Sequence, residues 1–166
     1  PMIGDALADD LRETKETIAR HISNLQKYQA DEREIIERFN NDIERFKTKV
    51  HAKITRLAGQ LVEVCNEVGE KYGIPVVNKR IAVSPLAVVG APFDADQMVA
   101  AAEALDEAAR AVKIDFLGGF SALVEKGMAK GDLALMEAIP EALASTERVC
   151  ASVNVASTRA GINMDA

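Results

Sequence analysis

The feature that most constrains the fold of this sequence is an order of segments in its C-terminal half: an apolar run, a polar loop with glycine, and a helix pattern. The apolar run 114–117 opens onto Gly118 and Gly119, and the run 149–155 opens onto the polar segment 156–161. Strand, loop, helix and strand in this order are typical of a parallel α/β sheet. Because ligands of such sheets bind where the strands end at their carboxyl side, the sequence predicts the place of a site and leaves its reaction open.

A third strand and two helices complete this pattern. Residues 76–83 are rich in β-branched side chains, which predicts a strand. One helix is predicted after Asp94 or Asp96, either of which suits an N-cap, and a second over residues 132–146. Pro140 inside the second helix predicts a kink or a break. With right-handed crossovers, this β-α-β-α-β order makes the three strands parallel.

The N-terminal half is predicted to be helical and charged. Residues 4–28 place apolar side chains on one helix face, and residues 29–32 interrupt the pattern weakly. The pattern over 31–72 then predicts one long helix or two nearly collinear ones, ended by Gly73 and Pro75. Since this stretch would be roughly 60 Å long, it needs a partner, either the first helix folded back as a hairpin or a second subunit. The apolar positions of the first face are Leu7, Leu11, Ile18, Ile22 and Leu25.

These patterns divide the chain into a long-helix segment, residues 4–59, and a parallel α/β unit, residues 60–166. Three parallel strands leave two unpaired sheet edges, and such edges favour association with further strands. We therefore expect either a piece of a larger sheet or subunits that complete one another, and we expect a homo-oligomer.

Charge and composition exclude several classes of partner. The formal net charge of −6 and the pI near 5.0 argue against binding to nucleic acid. No apolar run reaches the roughly 18–20 residues of a membrane span, and no signal-peptide core is visible, so a cytoplasmic protein without membrane contact is the default expectation. Cys65 and Cys150 form neither a disulfide framework nor a zinc motif.

Polar side chains at the predicted strand ends form a candidate site for a small anion. Hydroxyls, a guanidinium and backbone N–H groups follow the strand 149–155, and a loop rich in glycine and lysine follows the strand before it. The glycine-lysine spacing of a Walker loop is absent. A solvated loop explains the same residues equally well, so both interpretations stay open. The candidate ligand-binding residues are Arg80, Ser121, Lys126, Asn154, Ser157, Thr158 and Arg159.

Arg80 and Ser121 each have a structural alternative. Asn78, Lys79 and Arg80 interrupt an apolar strand, so a buried strand needs a carboxylate or a bound anion beside Arg80, whereas an edge strand leaves the charges solvated. Ser121 is predicted at the carboxyl end of its strand, where a nucleophilic serine would need a histidine base. Because both histidines lie in the helical half, a tight turn with a hydroxyl hydrogen bond is the favoured interpretation.

The cysteines and histidines are predicted to be structural. Cys150 lies early in a strand and Cys65 on an apolar helix face, so both are interpreted as buried residues of the core. His21 and His51 stand alone on charged helices and are interpreted as surface residues. The sequence therefore identifies no catalytic residue, no cofactor and no metal cluster.

Several blocks of this sequence together carry a resemblance to one family. They are KITRLA at 53–58, YGIPVVNKR at 72–80, DFLGGFSALV at 115–124, SVNV at 152–155 and AGINM at 160–164. In these blocks the chain resembles the uncharacterised bacterial and archaeal family described as pyruvate formate-lyase-like (uncharacterised protein family 0210, domain of unknown function 711). The resemblance runs from about residue 42 to residue 166, and it implies an α/β barrel related to those of glycyl-radical enzymes and ribonucleotide reductases. No reaction is firmly assigned to the family.

Two departures from this family limit what the resemblance implies. Its members are much longer, so the chain resembles about their N-terminal third and has no C-terminal glycyl-radical loop. The family usually opens with a strand before its first long helix, whereas residues 4–41 of this chain are charged and helical in pattern. The resemblance therefore implies a truncated, rearranged or oligomeric version of the barrel.

Two functions compete on these grounds. The first is a fragment or short form of the pyruvate formate-lyase-like family that binds a small anionic ligand at the strand carboxyl ends. The second is a non-enzymatic assembly module that dimerises through its long helices. The sequence leaves open whether the protein is an enzyme.

Overall fold

The computed structural model of the chain describes the backbone of residues 2–166 and the side chains of residues 15–166, except those at positions 17, 32, 35, 36 and 39. The predicted apolar positions Leu7 and Leu11 therefore lie outside the described side chains. The chain consists of two compact units, one that reaches Asn41 and one that runs from Asp42 to Ala166. Within the described residues, every helix is too short or too polar to cross a membrane.

Helices and strands alternate along most of the second unit. The helices are α1 (Met2–Ala58), α2 (Leu61–Tyr72), α3 (Leu86–Val89), α4 (Ala95–Ala111) and α5 (Lys130–Ser145). The strands are β1 (Arg80–Ala82), β2 (Phe116–Leu123), β3 (Val149–Asn154), β4 (Ala156–Ser157) and β5 (Gly161–Ile162).

The helical half differs from the prediction in where it is interrupted. The helix α1 continues through residues 29–32, so the described backbone forms no hairpin at the predicted weak break. It ends at Ala58, and a turn at Gly59 and Gln60 separates it from α2, which matches the alternative of two helices. The end of α2 is confirmed, because Gly73 has the left-handed backbone (φ 66°) of a helix C-cap.

The predicted parallel β-α-β-α-β unit is confirmed. The three main strands form a parallel sheet in the order β1-β2-β3, with α4 and α5 as the connections. The predicted N-cap of α4 is Asp94, whose carboxylate accepts the N–H of Gln97 at 2.9 Å. A break at Pro140 does not occur in α5, because Ala138 and Ala142 on either side of it are buried and hold both turns against the core.

The strand β2 is longer than predicted and contains the glycine pair that was expected to end it. A bulge shifts its register with β3 between Gly118 and Phe120. The backbone of Gly119 has a φ of +113°, and a Cβ atom there would lie 2.5 Å from the carbonyl oxygen of Val83. Position 119 therefore requires glycine because the chain segment after β1 approaches it closely, and not because β2 ends there.

One face of the sheet packs against the helices and forms the core. Leu117, Phe120 and Ala122 of β2 are fully buried in one apolar cluster with α4 and α5. The helix α4 contributes mainly small side chains to this cluster, which lets it lie close to the sheet. Its fully buried alanines are Ala101, Ala102, Ala108 and Ala109.

The strands β4 and β5 form an antiparallel hairpin that was not predicted. The turn lies at residues 158–160, and Gly161 follows it with a φ of +81°. Asn163 connects the hairpin to the sheet by two hydrogen bonds. Its backbone N–H donates to the Val155 carbonyl at 2.8 Å, and its side-chain amide donates to the Val124 carbonyl at 2.7 Å.

Candidate functional site

Among the described residues of the second unit, no helix covers the face of the sheet opposite α4 and α5, and we call it the open face. Strand register places Ala82, Gly118 and Cys150 side by side on it, and Ser121 beside Ser152 further along. The side chains of Ala82, Cys150 and Ser152 are exposed. The open face is thus lined mainly by small and polar groups, with Leu123 as an exposed apolar side chain near its carboxyl end, which leaves room for another element or a ligand to approach the backbone closely.

Ser121 lies within β2 and not at its carboxyl end, which corrects the predicted position. The residue is only 9% exposed, and its hydroxyl donates a hydrogen bond to the Gly119 carbonyl at 3.4 Å. This bond spans the bulge, so it supports the structural interpretation of Ser121. The described structure places no histidine in hydrogen-bond contact with this hydroxyl.

The carboxyl ends of β2 and β3 bring several predicted site residues to one edge of the sheet, which we call the carboxyl edge. Leu123 pairs with Asn154, and the Asn154 carbonyl accepts the N–H of Val124 at 2.9 Å. Lys126 follows directly in an exposed turn closed by the Gly127 N–H and the Val124 carbonyl at 3.1 Å. The β4–β5 hairpin begins just after Asn154.

The segment expected to cradle an anion is the turn of that hairpin. The Ser157 hydroxyl accepts the backbone N–H of Ala160 at 3.1 Å, so one group of the expected cradle is used inside the turn. Thr158 and Arg159 are exposed at its tip. The geometry therefore presents a hydroxyl and a guanidinium to solvent instead of a closed ring of N–H donors.

Arg80 lies far from these residues, at the edge of the sheet where the strands begin. It pairs with Phe116, the first residue of β2, whereas Ser121 lies five residues further along the same strand, about 16 Å at the usual rise. The Arg80 guanidinium lies 4.8 Å from the centre of the Phe116 ring. The described structure thus places an aromatic ring beside the Arg80 guanidinium, in a cation–π contact on an exposed edge strand.

Glu125 is a residue that the sequence analysis missed at the carboxyl edge. Its Oε2 atom is buried and has no hydrogen-bond partner in the described structure. A buried carboxylate oxygen without a donor is costly, so this atom is a place where a ligand could supply one. No sequence signal identified Glu125, because it lies in a loop rich in glycine and lysine, and the lysines of that loop were interpreted as the ligand-binding groups.

Asp106 is a second missed residue, and it positions β3. It is 3% exposed, and its Oδ1 atom accepts the backbone N–H groups of Glu147 at 3.1 Å and Arg148 at 2.7 Å. Its Oδ2 atom lies 2.9 Å from the guanidinium of Arg110. The Arg148 Nε in turn donates to the Ile114 carbonyl at 3.1 Å. One carboxylate therefore joins α4 to the start of β3.

The cysteine predictions need correction. Cys150 is exposed because alternation along β3 directs it to the open face, and Cys65 is only half-buried on α2, which contains no buried residue. His21 is exposed as predicted, whereas His51 is half-buried. Among the described residues, no group of three or more His, Cys, Asp or Glu side chains is placed to hold a metal ion.

These features define the class of the second unit: a parallel α/β unit with helices on one face, an open face of mainly small and polar side chains, and polar groups at its carboxyl edge. The chain belongs to the family described as Uncharacterised ACR (DUF711), whose sequence profile matches residues 34–166.

Named relatives agree with this assignment. The UPF0210 protein of Desulfovibrio desulfuricans is 68% identical over 127 residues, which cover 76% of this chain and 28% of that protein. The UPF0210 proteins of Streptococcus equi subsp. equi and Lactococcus lactis subsp. cremoris are 46% and 47% identical over 163 residues, 95% of this chain and 36% of theirs. The chain thus spans about a third of the length of these curated relatives.

Proposed function

We propose that the α/β unit forms part of a pyruvate formate-lyase-like α/β barrel, as a fragment or short form, and that it binds a small anionic ligand at the carboxyl edge. The open face is the single observation that carries this proposal. Strands of parallel sheets are normally covered on both faces, yet here Cys150 and Ser152 are exposed while Leu117 and Phe120 are fully buried. In a barrel the helices lie outside, so the open face would be the interior.

The groups at the carboxyl edge suit a ligand with both an anionic and a donor group. Lys126 and Arg159 are exposed cations on neighbouring turns, and Thr158 adds a hydroxyl. The unpartnered Glu125 oxygen would accept a hydrogen bond from the same ligand. Asn154 and Ser157 contribute through the strand end and the hairpin turn, whereas Ser121 and Arg80 lie further from this edge.

Titration of the full chain with inorganic phosphate, which carries a donor hydroxyl, and with formate and pyruvate as anions without a donor, followed by NMR, tests the ligand proposal. We expect saturable shifts at Lys126 and Arg159, and about a fivefold loss of affinity in Lys126→Gln or Arg159→Gln. Lys113→Gln is the matched control, because Lys113 is exposed but precedes β2 at the opposite edge. Shifts that are absent, or equally weakened by the control, would contradict an anion site here.

A second candidate function, an assembly module that dimerises through its long helix, is favoured by one observation in the first unit. Ile18, Ile22 and Leu25 follow steps of four and three along α1, and they are 54%, 50% and 63% exposed. Sedimentation of the full chain at several concentrations tests it. Ile22→Glu should weaken a dimer, whereas Met164→Glu at another exposed apolar position should not. A monomer at every concentration would rule this function out.

A further inference from the structure

A groove of about 650 Å³ lies within the second unit, between α1 and the segment that begins with β1. Its walls are largely apolar: Val50, Ile54 and Leu57 line it from α1, and Ile81, Val83 and Leu86 line it from the opposite side. Unlike the carboxyl edge, it contains no residue of the proposed anion site. What this groove binds is therefore a question separate from the anion site.

One side of the groove is a free strand edge. Val83 donates its N–H to the Gly118 carbonyl at 2.9 Å, so Val83 faces β2. Because successive residues of a strand direct their peptide groups to opposite sides, the neighbouring Ala82 directs its N–H and carbonyl away from β2. Ala82 lines the groove, and β1 is an edge strand of the described sheet. Such unpaired peptide groups are the usual template for an added strand.

The helix α1 extends over this edge. Ile54 and Ala58 are 5% and 7% exposed and join the core cluster with Leu86, which fixes this part of α1 to the helical layer. Leu57 lines the groove but is 65% exposed. Since neighbouring strands lie about 4.8 Å apart, a strand paired with β1 would run beside it along the groove and would cover the exposed side chain of Leu57.

Two cations give the groove a chemical preference. Lys49 and Lys53 are one helical turn apart on α1, both line the groove, and both are exposed. Neither belongs to an ion pair in the described structure. A peptide that carries a carboxylate on the side facing α1 would complement them, whereas a basic peptide would not.

We propose that this groove binds an extended peptide segment as an additional strand beside β1. Main-chain hydrogen bonds to Ala82 hold the segment, apolar side chains of the segment cover Leu57 and Val50, and an acidic side chain faces Lys49 and Lys53. The proposal is independent of the anion site and of dimerisation through the first unit.

Fluorescence anisotropy of the full chain with a labelled seven-residue peptide tests the proposal. The peptide alternates valine and threonine around one central glutamate. We expect saturable binding below about 1 mM. Ala82→Pro should weaken it about tenfold, because proline removes the outward N–H and leaves the bonds to β2 intact. Hydrogen exchange of the Ala82 amide should slow when the wild-type chain binds the peptide.

A charge exchange keeps the test decisive even if Ala82→Pro fails to fold. Lys53→Glu should weaken binding about fivefold, and a peptide with lysine in place of glutamate should recover it. Lys130→Glu is the control, since Lys130 is an exposed lysine at the start of α5 that does not line the groove. No binding at about 1 mM, or binding unchanged in both variants, would overturn the proposal.

Two further results would assign the groove to another occupant and equally overturn the proposal. One is binding of decanoate that depends on Lys53 and that the peptide does not displace. The other is self-association of the full chain that Ala82→Pro abolishes, since a second copy would then occupy the edge.

Discussion

The two faces of the sheet are built from the same strands, yet they differ in the size, the polarity and the exposure of their side chains. On the helix-covered face, Leu117, Phe120 and Ala122 are fully buried. On the open face, Cys150 and Ser152 are exposed, and glycine occupies the central position of the row. The difference teaches that the second unit builds a hydrophobic layer on one face of its sheet and leaves the other face without such a layer.

The largest expected effect compares two apolar side chains of β2. Phe120→Ala should lower the free energy of unfolding by about 3–5 kcal/mol, because a fully buried ring leaves a cavity. Leu123→Ala should cost less than about 1 kcal/mol, because Leu123 is 53% exposed on the open face. Urea unfolding of both variants measures the difference. Equal costs would show that the open face is covered in solution.

The second effect concerns the bulge that separates the two halves of β2. Gly119→Ala should cost about 2–4 kcal/mol, since its Cβ would meet the chain at Val83 and its backbone would be strained. Gly118→Ala is the matched control, because a Cβ at Gly118 has its nearest neighbour at 3.8 Å, an ordinary contact. We expect that control to change stability by less than about 0.5 kcal/mol. A tolerated alanine at position 119 would contradict the bulge.

The third effect tests the polar joint at the start of β3. Asp106→Ala should cost about 2–4 kcal/mol, since it leaves the N–H groups of Glu147 and Arg148 without their acceptor. Glu103→Ala on the exposed side of the same helix should cost less than about 0.5 kcal/mol. Urea unfolding again measures both, and equal values would contradict a positioning role for Asp106.

Local signals were sufficient for much of the fold. The β-branched and apolar runs located three strands, Asp94 located the start of α4, and Gly73 located the end of α2. Each of these features depends on residues within a few positions of itself, so sequence spacing contains the necessary information. The parallel arrangement followed because the crossovers between strands are helical.

The features that sequence missed depend on partners far along the chain. Gly119 was expected to end a strand, but its need for glycine comes from Val83 of the neighbouring segment. The carboxylate of Asp106 has partners 41 and 42 residues away. Cys150 was expected to be buried, but it is exposed. Strand alternation assigns residues to two faces of the sheet and does not show which face the helices cover. Of the candidate site residues, Lys126, Asn154 and residues 157–159 lie at or after the carboxyl ends of β2 and β3, whereas Arg80 lies where the strands begin.

The smallest expected effect on stability gives the most direct view of the open face. Cys150→Ser should change the free energy of unfolding by less than about 0.5 kcal/mol, because the side chain is exposed and a serine hydroxyl can also donate to the Arg148 carbonyl, which lies 3.9 Å from the thiol. In the Cys65→Ser variant, the Cys150 thiol should react quickly with a disulfide reagent, since an exposed thiol is accessible. Labelling over a wide range of protein concentration then tests whether subunits complete one another. If copies of the chain cover the open face, labelling should slow as the concentration rises, whereas a constant fast rate would show that copies of the chain do not cover it.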